Sequence, residues 1–337
     1  MGKASQGPVA VLDPAQRAEH ATKQILRQLF ETIEANVEGA RQNRDSECLH
    51  DLRVATRRTR SALSQIKGVF PESEVADFKA RFAWLQQVTG PVRDLDVYLI
   101  DFPTMRQRLP APLQPDLEPL YQLLLAQHAK AQQELALELA SPRFKQLLED
   151  WRAFLDAPDA PNDSGAASAE APPTQARLPI KQVADQRVRK LLKRVRAEGR
   201  AIGEDSAPED LHELRKRCKK LRYLMEFFQS LYEKEQIREQ IKQTKRLLDN
   251  LGRFQDTAVQ AQHLRETAEL SGSEAQLPAA TLLAMGALIE QLLQDQARAR
   301  DGFADVFAGF DSEENAARFK ALLVEDSAPR RKRARKR

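Results

Sequence analysis

The sequence predicts an all-α protein. Apolar residues recur at helical spacing along nearly the whole chain. Aromatic residues make up 6% and charged residues 30% of 337 positions, a balance that suits helices better than sheets. No stretch alternates apolar and polar residues for long enough to form a strand.

The elements follow in order. Helices are expected over 14–42, 46–67, 73–89, 92–101, 115–140 and 142–155 in a first half, and over 178–202, 208–231, 234–251, 254–270, 277–308 and 313–325 in a second. Leu26, Leu29, Phe30 and Ile33 set the apolar face of the first. Leu52, Ala55, Ala62, Leu63 and Ile66 do so for the second, and Leu214, Leu221, Leu224, Met225 and Phe228 for the helix at 208–231. Pro71, Pro91, Pro103, Pro110, Pro142 and Pro208 all fall at these ends or first turns, where proline is tolerated. Between the halves, residues 156–176 are Ala, Pro, Asp, Ser and Gly without a large apolar anchor, the composition of a flexible linker. Residues 1–13 and 326–337 are expected to be flexible ends.

The two halves are copies. HDLRVATRRTR from His50 and HELRKRCKKLR from His212 each set a histidine before cations at +3, +7, +8 and +10. Forty residues on, GPVRDLDV from Gly90 matches GRFQDTAV from Gly252, and the offset of 162 holds without a gap. This register predicts two helical bundles, 14–155 and 177–325, related by an approximate two-fold axis. RFKQLLED at 143–150 matches RFKALLVED at 318–326 at an offset of 175, so the second copy is about 13 residues longer, an excess expected in its long helix hairpin.

Charge is segregated. Arg330–Arg337 carries seven cations, and removing it takes the net charge from +4 to −3. Residues 181–253 hold 20 Lys or Arg against 12 Asp or Glu, which calls for an anionic partner. On a helix, His50, Arg53, Arg57 and Arg60 share an arc of roughly 80°, and His212, Arg215, Lys219 and Arg222 repeat it; Arg58 and Lys220 flank the two stripes. Like charges so stacked repel, so a compensating anion is expected. Guanidinium groups suit phosphate through paired hydrogen bonds, and ammonium adds a compact charge. Arg189, Lys193 and Arg196 on the preceding helix, and Lys245 and Arg246 on the following one, are expected to enlarge the cationic surround in the second copy. Arg93, Asp94, Asp96, Gln255 and Asp256 are expected to cap helices or to orient the motif arginines.

Other chemistries find little support. There is no CxxC, HExxH, P-loop or GxGxxG pattern, and no nucleophile stands beside a base, so neither a metal nor a cofactor is expected. His20, His128 and His263 lack repeat partners. Cys48 and Cys218 are not equivalent positions, and a reducing cytosol is the simple reading. No apolar run approaches the roughly 20 residues of a membrane span.

The paired motifs resemble the CHAD family, the conserved-histidine α-helical domain, over about residues 14–325. The resemblance implies two pseudo-symmetric helical bundles around a basic pocket that binds inorganic polyphosphate. It places the binding residues at His50, Arg53, Arg57, Arg58 and Arg60, and at His212, Arg215, Lys219, Lys220 and Arg222. Thr89 departs from the family pattern, which implies leucine there. The ExExK pattern of the tunnel-fold triphosphatase that many family members carry is not found in this sequence. The leading expectation is therefore non-catalytic polyphosphate binding in the cytoplasm, at polyphosphate granules. Nucleic-acid binding, aided by the basic tail, is the alternative; a polyphosphate or triphosphate hydrolase is the third reading.

Overall fold

A computed structural model describes residues 10–159, 173–270 and 277–323. Among them the chain is helical and holds no strand beyond one isolated bridge, so the fold is all-α. The first half forms α1 (Ala18–Arg41), α2 (Ser46–Gln65), α3 (Glu72–Val88), α4 (Gly90–Gln107), α5 (Glu118–Ala140) and α6 (Pro142–Asp156). The second forms α7 (Ile180–Ala201), α8 (Pro208–Phe227), α9 (Lys234–Leu270), α10 (Ala279–Asp301), α11 (Phe303–Phe310) and α12 (Glu313–Leu322). Short 3-10 turns at Ala111–Leu113, Pro115–Leu117 and Gln229–Leu231 complete the order.

Local chemistry sets the ends. Asp45, Ser141 and Ser312 cap α2, α6 and α12 by accepting from Glu47 N, Phe144 N and Asn315 N. Asn43, at φ 49°, turns the chain from α1 into α2.

Two apolar cores result, and each draws on both halves. The larger joins α1, α2, α3 and α6 to α7, α8, α11, α12 and the N-terminal part of α9, around Trp151, Phe82, Phe144 and Phe228. The smaller joins the α4–α5 pair to α10 and the C-terminal part of α9 through Tyr98, Phe102, Leu264 and Met285. Residues 162 positions apart meet in three places. Arg17 bridges Pro179, Tyr98 donates its hydroxyl hydrogen to Gln260 O at 3.1 Å, and Arg57 lies within electrostatic reach of Lys219. An axis relating the two copies would pass beside such pairs.

Several boundaries differ from expectation. Residues 234–270 form one helix, not two broken at Gly252. A helical glycine costs only about 1 kcal/mol, and the buried Leu247, Leu248, Leu251 and Phe254 hold the backbone helical through it. The first copy breaks there instead, because Pro91 has no N–H to carry α3 into α4. Pro103 lies inside α4, which continues because Phe102 and Met105 are buried. The helix expected at 277–308 is interrupted at Gly302, where Asn250 Nδ2 donates to the terminal carbonyl of Ala299. The hairpin is not the longer part of the second copy. α5 and α10 have 23 residues each, and the excess falls after α10, in α11. There Phe307 packs so closely on Gly199 of α7 that a Cβ would collide with it.

The flexible start does not extend to residue 13. Ala10 and Leu12 are buried, and Ser230 Oγ both accepts from Leu12 N and donates to Ala10 O. The linker expected over 156–176 is held at both ends, where Lys23 Nζ donates to Ala157 O, Gln175 N donates to Gly68 O and Ala176 is buried. The remaining flexibility expectations, on residues 1–9, 160–172 and 324–337, lie outside the described residues. No helix among the described residues is long and apolar enough to cross a membrane.

Candidate anion-binding site

The motif helices α2 and α8 pack against each other, each burying an apolar stripe and turning its cations away from it. On α2 those cations find acceptors within the protein. Arg53 Nη1 donates to Gln86 O and to Thr89 Oγ1, both at 2.8 Å, and so caps the end of α3. Thr89, the departure from the family pattern, supplies this acceptor while donating to Leu85 O. Arg57 Nε donates to the Tyr223 hydroxyl at 3.2 Å. Arg58, on the flank of the stripe, turns to the other half. Its Nη1 is 2.9 Å from the buried Glu226, and its guanidinium lies over Tyr223 and Phe227. Contrary to expectation, it is a packing ion pair between the halves.

On α8 the matching positions border a cleft of about 340 Å³, lined by Arg215, Lys219, Arg222, Leu248, Asp249, Gly252, Arg253 and Asp256. Arg215 Nη2 donates to Asp256 Oδ1 at 3.0 Å. Arg222 Nε lies 3.2 Å from Glu226 Oε1, within ion-pair distance, so Glu226 serves cations of both motif helices. Lys219 has no ion-pair partner among the described residues. Burial first, then Arg215, Arg57 and Arg222, pull its ammonium down to about 8, with Asp256 opposing. Five cations thus converge where α2, α8 and α9 meet: Arg57, Arg215, Lys219, Arg222 and Arg253.

The two histidines have different settings. His212 Nδ1 lies 2.8 Å from Gln255 Oε1, a contact that fixes the orientation of the ring. The counterpart of Gln255 is Arg93. Burial first, then Arg93, holds His50 below its ordinary value, with Glu47 and Asp51 opposing, so His50 is neutral at pH 7. Asp256, Gln255 and Asp96 orient other groups and cap no helix: Asp96 Oδ1 is 2.8 Å from His128 Nε2. Asp94 lies near Arg53, and burial raises its carboxyl against the pull of Arg53, His263 and Arg93.

The cations expected to surround this cleft lie elsewhere. Arg189, Lys193 and Arg196 of α7 face α12 across a separate groove. Arg189 donates to Leu323 O, and Arg196 is paired with Asp311, which also takes Arg200. Their 4, 3, 4 spacing fixed a common face but not which helix that face meets. Lys245 and Arg246 are exposed on α9 and do not line the cleft. Arg60 is half-buried on α2, beyond it. Lys220 points to the other flank of α8, towards Arg217, Lys216 and Arg194, and burial with these cations lowers its ammonium. The expectation missed three α7 cations on that flank, Arg187, Lys190 and Arg194. Their offset of about 100° per residue from the 189–193–196 face was the available signal.

The CHAD domain model matches residues 24–265, and the chain belongs to that family. Among solved structures, the chain is similar to the CHAD domain from the plant Ricinus communis, with 26% identity, a TM-score of 0.71 and coverage of 91% of this chain and 98% of that one. It shares its fold with PptA from Streptomyces chartreusis at 14% identity and a TM-score of 0.62, over 86% of this chain and 99% of that one. The comparison with curated proteins returned no match.

Proposed function

We propose that the protein binds inorganic polyphosphate, without turning it over, in the cleft at Lys219, and that this binding places it on polyphosphate granules. The observation that carries the reading is the convergence of four arginines around an ammonium, Lys219, that has no ion-pair partner among the described residues. An ammonium pulled down to about 8 is held in a repulsive setting, which a polyanion relieves. Arginine forks and a lysine point charge together suit successive phosphates of a chain. Among the described residues, the cleft lining includes no hydroxyl, thiol or imidazole; of its two carboxylates, Asp256 is engaged by Arg215, and Asp249 is the one a hydrolytic reading would have to use.

Calorimetric titration with long-chain polyphosphate, with and without magnesium, tests this. Micromolar or tighter binding that weakens by orders of magnitude from low to moderate salt is the expected result, because association releases counterions. Absence of binding at moderate salt overturns the reading. So does stoichiometric displacement by DNA or RNA at equal phosphate concentration, and so does release of orthophosphate from the bound chain.

A further inference from the structure

On the flank of α8 opposite the Lys219 cleft lies a second, smaller groove of about 150 Å³, formed by α7, α8 and the C-terminal end of α2. Lys67, Arg187, Lys190 and Arg194 line it, with Lys220 within electrostatic reach of Arg194. Among the described residues, none of these five has an ion-pair partner and no carboxylate lines the groove. Glu213, which acts against the lowering of the Lys220 ammonium, is paired with Lys216, and Glu198 is paired with Arg217. Arg187 donates one hydrogen to Lys67 O, while its buried Nε has no acceptor among the described residues.

The matching groove of the first copy shows what this one departs from. At the offset of 162, Arg187, Lys190, Arg194 and Lys220 correspond to Ile25, Gln28, Thr32 and Arg58. Ser64 corresponds to Glu226, the carboxylate that neutralises Arg58. The first-copy groove also contains Glu31 and Asp51, so it is acidic or internally paired. In the second copy three neutral positions carry cations, and the carboxylate position carries a hydroxyl. Uncompensated cations that crowd one another lower stability unless an anion joins them.

We infer that this groove is a second phosphate site, taking a compact oligophosphate, either free or as the end of a long chain. Its small volume excludes a long segment lying within it, and its cations and the Ser64 and Gln65 side chains supply donors on three sides. The site does not depend on what fills the Lys219 cleft.

Calorimetric titration with tripolyphosphate is the test, on wild type, on Lys190→Ala with Arg194→Ala, and on Lys219→Ala with Arg222→Ala. Lys190 and Arg194 are exposed, so folding is spared, and melting curves check it. Wild type should show two sites. The groove variant should lose one of them, its affinity falling at least about tenfold, as loss of charge-assisted hydrogen bonds requires. The cleft variant should keep the groove site. An unchanged isotherm in the groove variant overturns the proposal, as does an equal loss in Lys130→Ala with Lys145→Ala, two exposed cations outside both clefts. Groove binding that survives while wild type shows no cleft binding would refute the central reading and leave this one standing. Repetition with long-chain polyphosphate identifies the source. A drop in the groove variant there marks a chain end, and a drop for tripolyphosphate alone marks a free ligand.

Discussion

On α2, Arg53 ends on the backbone of α3, Arg57 on a tyrosine hydroxyl and Arg58 on a buried carboxylate. On α8, Arg215 is tied to an exposed aspartate, while Lys219 and Lys220 have no ion-pair partner among the described residues. One motif, repeated at the same spacing, thus finds acceptors within the fold for Arg53, Arg57 and Arg58 in one copy, and in the other keeps two lysines without ion-pair partners among the described residues. A cationic stripe says where charge will gather. Whether that charge is free depends on acceptors contributed by other elements, here Thr89, Tyr223 and Glu226.

The largest expected effect breaks the comparison directly. Lys219→Glu with Arg222→Glu should lower polyphosphate affinity by at least about a hundredfold, since each charge-assisted contact contributes about 1.5–3 kcal/mol. Arg57→Glu with Arg60→Glu should cost less, because only Arg57 reaches the cleft. Equal losses measured by calorimetry would mean that both copies share the anion evenly.

Glu226→Gln should move the two helices closer in behaviour. Removing one partner from a buried ion pair costs about 3 kcal/mol of stability, readable in urea melts. Arg58 and Arg222 would then be free for phosphate, so polyphosphate affinity should rise as stability falls. A variant that is destabilised without tighter binding would show that Arg222 never reaches the ligand.

Arg53 and Arg215 occupy matched positions and should separate cleanly. Arg53→Ala removes the cap on Gln86 O and should cost about 2 kcal/mol of stability, with little loss of binding. Arg215→Ala should do the opposite, since its partner Asp256 is exposed. Denaturation and titration of both variants check this crossing pattern.

Much of this was legible in the chain. The all-α class and the motif helices follow from periodicity, because the apolar stripes that fix them are local. The stripe carrying Arg215, Lys219 and Arg222 was legible for the same reason. Arg58 was not, since its fate depends on Glu226, 168 residues away. Nor were Arg189, Lys193 and Arg196, which meet α12 through a packing choice that spacing on α7 does not contain. Gly252 looked like a helix end because Gly90 begins one; the difference was made by the proline at 91, against arginine at 253.

The smallest expected effect concerns the protonation of Lys219. Its folded value of about 8 lies below the ordinary lysine value of 10.5, so between these two pH values the unfolded chain binds more protons than the folded one. Stability should therefore rise with pH across that interval, and the penalty should be fully present below pH 8. Lys219→Gln removes it and should raise stability at pH 7 by about 1 kcal/mol, allowing for solvent screening at a half-buried site. Polyphosphate works in the opposite direction: it favours the charged ammonium, so affinity should hold below pH 8 and decline above it. Parallel melts and titrations from pH 6 to pH 10 should show wild-type stability and affinity changing with opposite sign above pH 8. Both dependences should flatten in Lys219→Gln. If they persist there, another group carries them, and Lys219 is not the charge that the cleft is built around.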